Sequence, residues 1–346
     1  MKVLVVKLSS LGDVVHTFPA ITDAARAVPG LVLDWAVEDA FVPLVKLHPA
    51  VRRAIPVPLR RLKKRPLAAL RGGEAQAVRA ALRAEAYDVV IDAQGLMKSA
   101  AVGLFAKGRR HGFDRATARE GLASLTYATG HHLPETEHMA ARIRKLFAAA
   151  LGYSLDGLPE AAGLDPGPLA PGAAPYWIFL HGTTWPTKTW TVGRWRDLAV
   201  RAGRAGRRVL VFAQGAAEEA RAAAIAADLP QVERMPPLPL DRIAPLIAGA
   251  EAVVSVDTGL GHLAAALGVP TVGLYGPTNP RLTGLFGPKV VELKSMRGCA
   301  PCERARCRIA PETVEGPPCL ADFSARDIWR AVSLVRLGHA DAMDKM

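Results

Sequence analysis

Residues 252–276, AVVSVDTGLGHLAAALGVPTVGLYG, contain one complete strand–helix–strand pattern. The runs 252–257 and 270–276 are largely apolar and predict strands buried on both faces, while 261–268 has the alanine-rich composition of a helix. A strand that returns through a crossover helix to a parallel neighbour is the repeating unit of doubly wound α/β domains. This stretch therefore predicts an α/β fold with a parallel sheet.

The same alternation occurs on both sides of a linker. Before the linker, strands are predicted at 3–6, 31–37, 54–57 and 87–93, and helices at 13–28, where Pro19 should bend the chain, and 75–85. After it, strands are predicted at 176–182 and 207–213, and helices near 192–204, 216–227 and 240–248. Residues 156–175 are rich in Gly and Pro without periodicity, which is typical of a linker. We expect two doubly wound domains facing a cleft, residues 1–155 and 176–322, and a final helix within 323–346 that packs back on the first domain.

The composition is that of a globular protein with excess positive charge. Half of the 346 residues are apolar, and 44 Lys and Arg against 32 Asp and Glu give a net charge of +12. Such an excess favours an acidic partner: nucleic acid, an anionic membrane surface or a phosphorylated substrate. No apolar run reaches the ~18 residues of a membrane span, and no secretory signal is visible. We therefore expect a cytoplasmic protein.

Positive charge is concentrated in residues 52–71, which contain eight Lys and Arg and no acid. Composition alone is compatible with a solvated basic loop and with an anion-binding segment. Few aromatic residues lie among these charges, which counts against a stacking platform for single-stranded nucleic acid.

Polar residues follow three of the predicted strands in the second half. Asp257 ends a buried strand at a helix start whose free N–H groups could hold a phosphate. Thr183, Thr184 and Lys188 follow another strand, and Glu218 or Glu219 opens a helix after a third. Ligands of open α/β sheets bind outside the carboxyl ends of the strands. The three ends together predict a nucleoside diphosphate site.

Each of these features also has a simpler interpretation. Asp257 could cap its helix, Lys188 could extend into solvent, and the glutamates could favour the helix dipole. Gly259, Gly261 and Ala264 match G-x-G-x-x-A, which leaves a nicotinamide-dependent oxidoreductase open, although no acid follows at the ~20-residue distance that holds a ribose. A non-catalytic anion-binding protein is a third alternative.

The first predicted strand is followed by the turn SSLGDVVHT, residues 9–17, which contains a carboxylate, Asp13. A turn at this position usually receives a phosphate, so a negative charge here needs an explanation. Asp13 is either the N-cap of the following helix or a general base. The two roles are compatible, because a capping carboxylate has a second oxygen.

Several motifs together resemble the bacterial lipopolysaccharide heptosyltransferases of glycosyltransferase family 9. They are VKLSSLGDVVHTFPAITDA near the start, VIDAQGLMKSA (90–100), TAREGLASL (117–125), HGTT followed by Lys188 and Trp190, and residues 255–280. The resemblance runs from Met1 to about residue 290 in matching order. It implies a GT-B fold and inverting transfer of L-glycero-D-manno-heptose from ADP-heptose to Kdo of Kdo2-lipid A. The motifs are most similar to the enzymes that add the first inner-core heptose; a second-heptose enzyme or another acceptor is the alternative.

The resemblance also implies residue roles on the donor side. Lys188, with Thr183 and Thr184, would hold the diphosphate and assist catalysis by neutralising its charge. Asp257 would grip heptose hydroxyls, and Glu219, four residues after Gly215, would bind the ribose. The remaining donor-side residues are the helix-start group Thr258, Gly259, Leu260 and His262. No metal or other cofactor is expected for catalysis.

On the acceptor side, Asp13 would be the catalytic base, and apolar surroundings are expected to raise its pKa. Ser10 and Gly12 would flank the acceptor. The cations expected to contact Kdo and the lipid A phosphates are Arg60, Arg61, Lys63, Lys64, Lys98 and Arg119. Arg119 could instead pair with Glu120. Nearby residues would touch an anionic inner leaflet, which makes the protein peripheral at the cytoplasmic face of the inner membrane; no nucleic acid partner is expected.

The four cysteines of the chain, Cys299, Cys302, Cys307 and Cys319, form the pattern C-x2-C-x4-C-x11-C. In a reducing compartment such clustering favours a structural zinc over disulfides, although the second and third spacings match no standard finger. No catalytic role is expected for them.

Overall fold

The computed structural model describes residues 1–59, 61, 73–169, 174–310 and 316–338. The chain forms two compact units, Met1–Asp165 and Pro166–Met346. The division between them lies inside the stretch 156–175 that the sequence predicts to be a linker.

The first unit contains a parallel sheet with the strand order β3-β2-β1-β4-β5-β6. Its strands are β1 Lys2–Val6, β2 Val32–Glu38, β3 Val51–Val57, β4 Ala86–Asp92, β5 Lys107–Phe113 and β6 Thr129–His131. Its helices are α1 Leu11–Val15, α2 Phe18–Ala27, α3 Val42–Val45, α4 Glu74–Arg83, α5 Met97–Gly103 and α6 Met139–Leu151. Short 3-10 turns lie at Asp39–Phe41 and Gly121–Thr126.

The second unit repeats this architecture with the strand order β12-β11-β10-β7-β8-β9, again parallel throughout. Its strands are β7 Tyr176–Leu180, β8 Arg208–Val211, β9 Val232–Arg234, β10 Ala252–Val256, β11 Thr271–Tyr275 and β12 Val290–Lys294. Its helices are α7 Val192–Arg204, α8 Ala216–Ala226, α9 Leu240–Ala248, α10 Gly259–Ala266, α11 Pro280–Thr283, α12 Pro318–Ala321 and α13 Ala325–Arg336. A 3-10 turn spans Pro186–Lys188.

Burial explains why the central strands form where they do. Residues Val3–Val6 and all of β7, β10 and β11 are buried, as expected for parallel strands covered by helices on both faces.

The predicted helix 13–28 is two helices, α1 and α2. Pro19 occupies the first turn of α2, where its missing N–H breaks no helical hydrogen bond.

Each sheet has a switch point, where the strand order reverses. It lies between β1 and β4 in the first unit and between β7 and β10 in the second. The carboxyl ends of these strand pairs are where open α/β sheets bind ligands. The predicted site residues after β1, β7 and β10 therefore all lie at switch points.

Helix α13 packs on the sheet of its own unit. Its apolar residues Ile328, Ala331, Val332 and Val335 are buried in the second unit's core, and the helix contacts β10, β11, β12 and α7. Trp329 of α13 stacks on Trp177 of β7 at 4.9 Å between ring centroids. The second sheet covers the apolar face of this helix, and packing of the helix on the first domain stays a prediction. Among the described residues, no helix has the length and apolar character needed to cross a bilayer.

Candidate active site

The loops after β7 and β10 bring a lysine and an aspartate together at the second switch point. Lys188 Nζ lies 2.7 Å from Asp257 Oδ2. The Thr183 hydroxyl donates to the Asp257 backbone carbonyl at 3.4 Å. The strands position these groups because β7 and β10 are paired in parallel up to Leu180 and Ser255, so both loops leave the sheet at the same edge. Thr184 lies exposed beside them.

The contacts that hold the Lys188 ammonium leave some of its N–H donors available. Its Nζ lies 4.5 Å from the centroid of the Trp185 ring, a cation–π arrangement. An ammonium group has three N–H donors, and one of them serves Asp257. The side chain is partly exposed, so the remaining donors can reach an anionic ligand.

Asp257 is buried, with 9% of its side chain exposed, and remains ionised. Its Oδ2 accepts from the Thr278 hydroxyl at 2.7 Å, and His262 Nε2 lies 3.5 Å from Oδ1. Burial by itself raises the pKa of Asp257, but the bond with His262 and the charge and bond of Lys188 outweigh it and hold the pKa well below its usual range. The capping alternative for Asp257 is wrong: Thr258 is the N-cap of α10, and the Asp257 carboxylate is occupied by the ion pair.

The start of helix α10 lies beside this ion pair. Thr258 makes no side-chain cap, and Gly259 and Leu260 are partly exposed. Gly261 has a packing role, since a Cβ there would come within 2.4 Å of Ser255 Oγ on β10. The helix thus approaches its strand closely and presents uncapped N–H groups of the kind that bind phosphates.

Of the two glutamates on α8, Glu218 reaches this edge of the sheet. Its Oε2 accepts from the Gln214 N–H at 2.8 Å, and its carboxylate fills the space where a Cβ on Gly182 would lie, 2.5–2.6 Å away. Neighbouring helix residues point about 100° apart, so Glu219 faces another direction. The geometry favours Glu218 over Glu219, the residue chosen from the sequence.

In the first unit, Asp13 belongs to the cap of α1 without being its N-cap residue. Ser10 is the N-cap, and Asp13, three residues on, accepts at Oδ2 from the Ser10 N–H at 2.9 Å and the Ser10 hydroxyl at 2.7 Å. This is a capping box. The other oxygen, Oδ1, lies 3.7 Å from Lys7 Nζ. Gly12 lies between these residues, partly buried.

The expected rise in the pKa of Asp13 is wrong. Burial does raise the pKa, but the charge of Lys7 and the two hydrogen bonds from Ser10 outweigh it and lower the pKa to about 2. The carboxylate is therefore ionised throughout the physiological range.

Two further cations lie near this turn. Lys98 Nζ donates to Ser9 Oγ at 3.2 Å, across the first switch point. Arg119 is exposed, and its charge acts on buried Lys7. The alternative pairing of Arg119 with Glu120 does not occur among the described contacts, where Glu120 Oε2 accepts from the Met97 N–H at 2.6 Å.

The basic segment is partly neutralised in the fold. Arg52 binds Asp34 of β2 through two hydrogen bonds of 2.9 and 2.8 Å, and Arg53 also binds Asp34. Arg61 Nη2 lies 3.1 Å from Asp39 Oδ2. Residues 52–71 contain no acid, but the neighbouring strand β2 supplies Asp34. Arg60, Lys63 and Lys64 lie outside the described residues.

The four cysteines line one cavity of about 500 Å3 in the second unit. All four are free thiols, and burial raises the pKa of Cys319 to about 11. Within the described residues, no three Cys, His, Asp or Glu side chains are arranged to bind a metal ion. The present arrangement does not fit zinc, and the structural zinc stays a prediction.

Comparison with known proteins decides the family. The sequence profile of glycosyltransferase family 9 (heptosyltransferase) matches residues 75–312. The chain belongs to glycosyltransferase family 9. It is therefore a glycosyltransferase, and the predicted family resemblance and GT-B fold class are confirmed.

Curated members of the family are similar over most of their length. Lipopolysaccharide heptosyltransferase 1 of Pseudomonas aeruginosa is 49% identical over 90% of this chain and 88% of its own. The Escherichia coli K12 protein of that name is 45% identical over 83% of this chain and 91% of its own. By contrast, lipopolysaccharide heptosyltransferase 2 of E. coli K12 is 26% identical over 86% and 89%.

A solved structure agrees with these matches. The structure of "E. coli heptosyltransferase WaaC with ADP" has a TM-score of 0.85 and 40% identity, covering 97% of this chain and all of that one. A second structure of WaaC, with ADP-2-deoxy-2-fluoro heptose, has a TM-score of 0.83 and 39% identity over 96% and 99%.

Two residues of the site were missed in the sequence. Lys7 directly follows the buried strand β1, and a charged residue at the end of such an apolar run indicates a candidate site residue. Thr278 follows β11 in the segment GPTNP, and β11 is the neighbour of β10, the strand that Asp257 follows. Polar residues after the strands at each switch point, and after the neighbours of those strands in the sheet, would have identified both.

Proposed function

We propose that this protein is the heptosyltransferase that transfers L-glycero-D-manno-heptose from ADP-heptose to Kdo of Kdo2-lipid A, with inversion, in lipopolysaccharide inner-core synthesis. The observation that carries the proposal is the Lys188–Asp257 pair beside the uncapped start of α10, in a chain 40% identical to a WaaC structure containing ADP. The higher identity to heptosyltransferase 1 than to heptosyltransferase 2 supports the choice of acceptor.

On the donor side, Lys188 and the N–H groups of Thr258, Gly259 and Leu260 bind the diphosphate. Their positive charge stabilises ADP as the glycosidic bond breaks and negative charge collects on the leaving oxygen. Because a lysine and a helix start supply this charge, the proposal needs no metal ion.

The sugar and the nucleoside contact carboxylates. Asp257, ionised and held by Lys188 and Thr278, accepts hydrogen bonds from heptose hydroxyls, with His262 beside it. Glu218 accepts from the ribose hydroxyls, since its carboxylate lies beside Gly182 at the end of β7. The Thr183 and Thr184 hydroxyls donate to phosphate oxygens.

On the acceptor side, Asp13 is the base. The attacking Kdo hydroxyl gives its proton to Asp13 while its oxygen bonds to the anomeric carbon, and ADP leaves with the bonding electrons. A single displacement inverts the anomeric centre without a covalent sugar intermediate. A general base must be unprotonated before the reaction, and the low pKa of Asp13 keeps it so.

Cations of the first unit hold the anionic acceptor. Lys98 and Arg119 lie near the turn that carries Asp13, and Arg61 is exposed although it pairs with Asp39. Kdo carries a carboxylate and lipid A carries phosphates, which guanidinium and ammonium groups bind well. The same charges favour a peripheral position at an anionic leaflet.

A direct test offers the purified protein two acceptors with ADP-heptose. One is Kdo2-lipid A, and the other is its singly heptosylated product. We expect Kdo2-lipid A to gain the mass of one heptose. Addition only to the heptosylated acceptor would identify a second-heptose enzyme instead, and no addition to either would contradict the proposal.

The base is tested by Asp13→Asn. Loss of a positioned base lowers turnover by about 100-fold or more, whereas ADP affinity should stay unchanged because the diphosphate residues belong to the second unit. Turnover is measured by ADP release and affinity by calorimetry. Asp241→Asn, which removes an exposed carboxylate on α9, is the matched control and should behave as wild type. Full activity of the Asp13 variant would remove Asp13 from the mechanism.

A further inference from the structure

Lys7 is a buried lysine that the proposed reaction does not use. It follows β1 and has only 2% of its side chain exposed. Lysine is almost never buried to this extent without a partner, because removing an ammonium group from water is unfavourable. Its backbone is fixed on both sides, by the Lys7 N–H donating to Ala36 O at 3.3 Å and by Trp35 Nε1 donating to Lys7 O at 3.1 Å.

The Lys7 ammonium lies between two carboxylates. Its Nζ donates to the Ala93 carbonyl at 3.0 Å and lies 3.7 Å from Asp13 Oδ1. Asp92 of β4 acts on it electrostatically and favours its charged form, as does Asp13, whereas burial and the charge of Arg119 lower the pKa of Lys7. The charged groups that face it therefore come from α1, from β4 and from the loop before the 3-10 turn Gly121–Thr126.

Asp92 is a fixed member of this group. Its Oδ1 accepts from the Gln94 and Gly95 N–H groups at 2.9 and 3.1 Å. Its Oδ2 accepts from the Ser99 and Tyr127 hydroxyls at 2.9 and 2.7 Å. Four donors leave Asp92 no role as a mobile base, so the carboxylate that Lys7 can influence in the reaction is that of Asp13.

The two oxygens of Asp13 have different surroundings. Oδ2 is occupied by two hydrogen bonds from Ser10. The Lys7 ammonium, 3.7 Å from Oδ1, is near enough for charge attraction but too far for a hydrogen bond. Lys7 thus stabilises the anion and leaves one oxygen open.

We propose that Lys7 is the positioning residue of the base: its buried ammonium keeps Asp13 ionised and leaves Oδ1 free to take the proton of the attacking hydroxyl. The inference rests on the proposed function, in which Asp13 is that base. In the reaction the proton moves from the acceptor hydroxyl to Oδ1, the hydroxyl oxygen bonds to the anomeric carbon, and ADP leaves with the electrons. Lys7 neither donates nor accepts a proton in this step.

The test replaces Lys7 by two uncharged residues of similar length. Lys7→Met removes the charge and the hydrogen bond to Ala93, while Lys7→Gln keeps a donor for that carbonyl. In both, burial acts on Asp13 without the charge of Lys7, and only the Ser10 hydrogen bonds and the charge of His16 at the end of α1 still oppose it, so the pKa of Asp13 should rise. We expect the acid limb of the pH profile of kcat/KM to move to higher pH by about one unit or more, with ADP affinity unchanged. Lys46→Met, which removes an exposed lysine of the same unit, should leave the profile as in wild type.

A second comparison separates positioning from simple structural support. In an Asp13→Asn background, Lys7→Gln should lower the residual rate no further, because Lys7 acts through Asp13. An unchanged acid limb in the folded Lys7→Gln protein would overturn the inference, as would an equal rate loss with and without Asp13. If Asp13→Asn alone kept full activity, the base assignment would fail instead, which is a different result.

Discussion

At the scale of single residues, the donor site depends on one ion pair. Lys188 is the cation of the second switch point, and Asp257 holds its ammonium at 2.7 Å. The carboxylate directs the ammonium without consuming its other donors. In the proposed function the diphosphate and Asp257 share this one cation, so its removal should affect both.

Lys188→Met should weaken ADP binding by about 10- to 100-fold, since a hydrogen bond to a charged group contributes about 1.5–3 kcal/mol. Transfer should slow as well, because the leaving diphosphate loses its counter-charge. Calorimetry with ADP and a transfer assay measure the two effects. Lys289→Met, at an exposed lysine of the same unit, is the control. If ADP affinity survived in the Lys188 variant, the diphosphate would bind elsewhere.

Sequence reasoning identified which residues to examine but not their electrostatic state. Asp13 and Asp257 were both selected because each follows a predicted strand. The low pKa of Asp13 depends on Lys7 and Ser10, and that of Asp257 on His262 and Lys188; the distances of these groups to the carboxylates are properties of the folded loops. The same limit explains Arg52 and Arg53, which are free cations in the sequence but bind Asp34 from the adjacent strand.

At the scale of elements, helix α13 shows that a local pattern predicts a helix but not what covers its apolar face. The amphipathic pattern predicts the helix. A capping box fixes its start, with Asp327 Oδ2 accepting from the Ser324 N–H at 3.0 Å and its hydroxyl at 2.6 Å. An apolar face carries no information about which of two sheets will cover it.

Ile328→Ala tests this packing. Ile328 is fully buried in the second unit's core, and truncating a buried isoleucine costs about 2–4 kcal/mol of stability. Denaturant unfolding followed by tryptophan fluorescence would report the loss, because Trp177, Trp190 and Trp195 belong to the same core. Arg330→Ala, on the exposed face of α13, should stay within about 0.5 kcal/mol of wild type. Equal effects of the two variants would contradict the observed packing.

At the scale of the whole molecule, two units share one sheet topology and differ in what their switch points carry. The first has a carboxylate with an open oxygen, and the second has a lysine, an uncapped helix start and an ionised aspartate. Each unit has its own parallel sheet. A ligand that binds at one switch point should therefore raise the stability of the unit that carries this switch point.

ADP should stabilise the second unit selectively. A ligand that binds only the folded state at 100 times its dissociation constant adds about 2.7 kcal/mol to stability. Hydrogen exchange of β7 and β10, which lie beside Lys188 and Asp257, should slow accordingly, while β2 and β3 at the far edge of the first sheet should change little. In Lys188→Met at the same ADP concentration the added stability should fall to about 0.4–1.4 kcal/mol, because binding is 10- to 100-fold weaker. Equal slowing in both sheets would show that ADP binding is not confined to the second unit.

The sequence by itself determined the two α/β arrays, the positions of most central strands and the polar residues at their carboxyl ends. It could do so because strand burial, helix composition and turn residues are local properties of the chain. Only the tertiary structure decided the ionisation of Asp13 and Asp257, the choice of Glu218, the neutralisation of Arg52 and the placement of α13. These depend on groups brought together from different strands and loops, such as Lys7 with Ala93 or Lys188 with Asp257, and the energy of a buried charge is set by such neighbours.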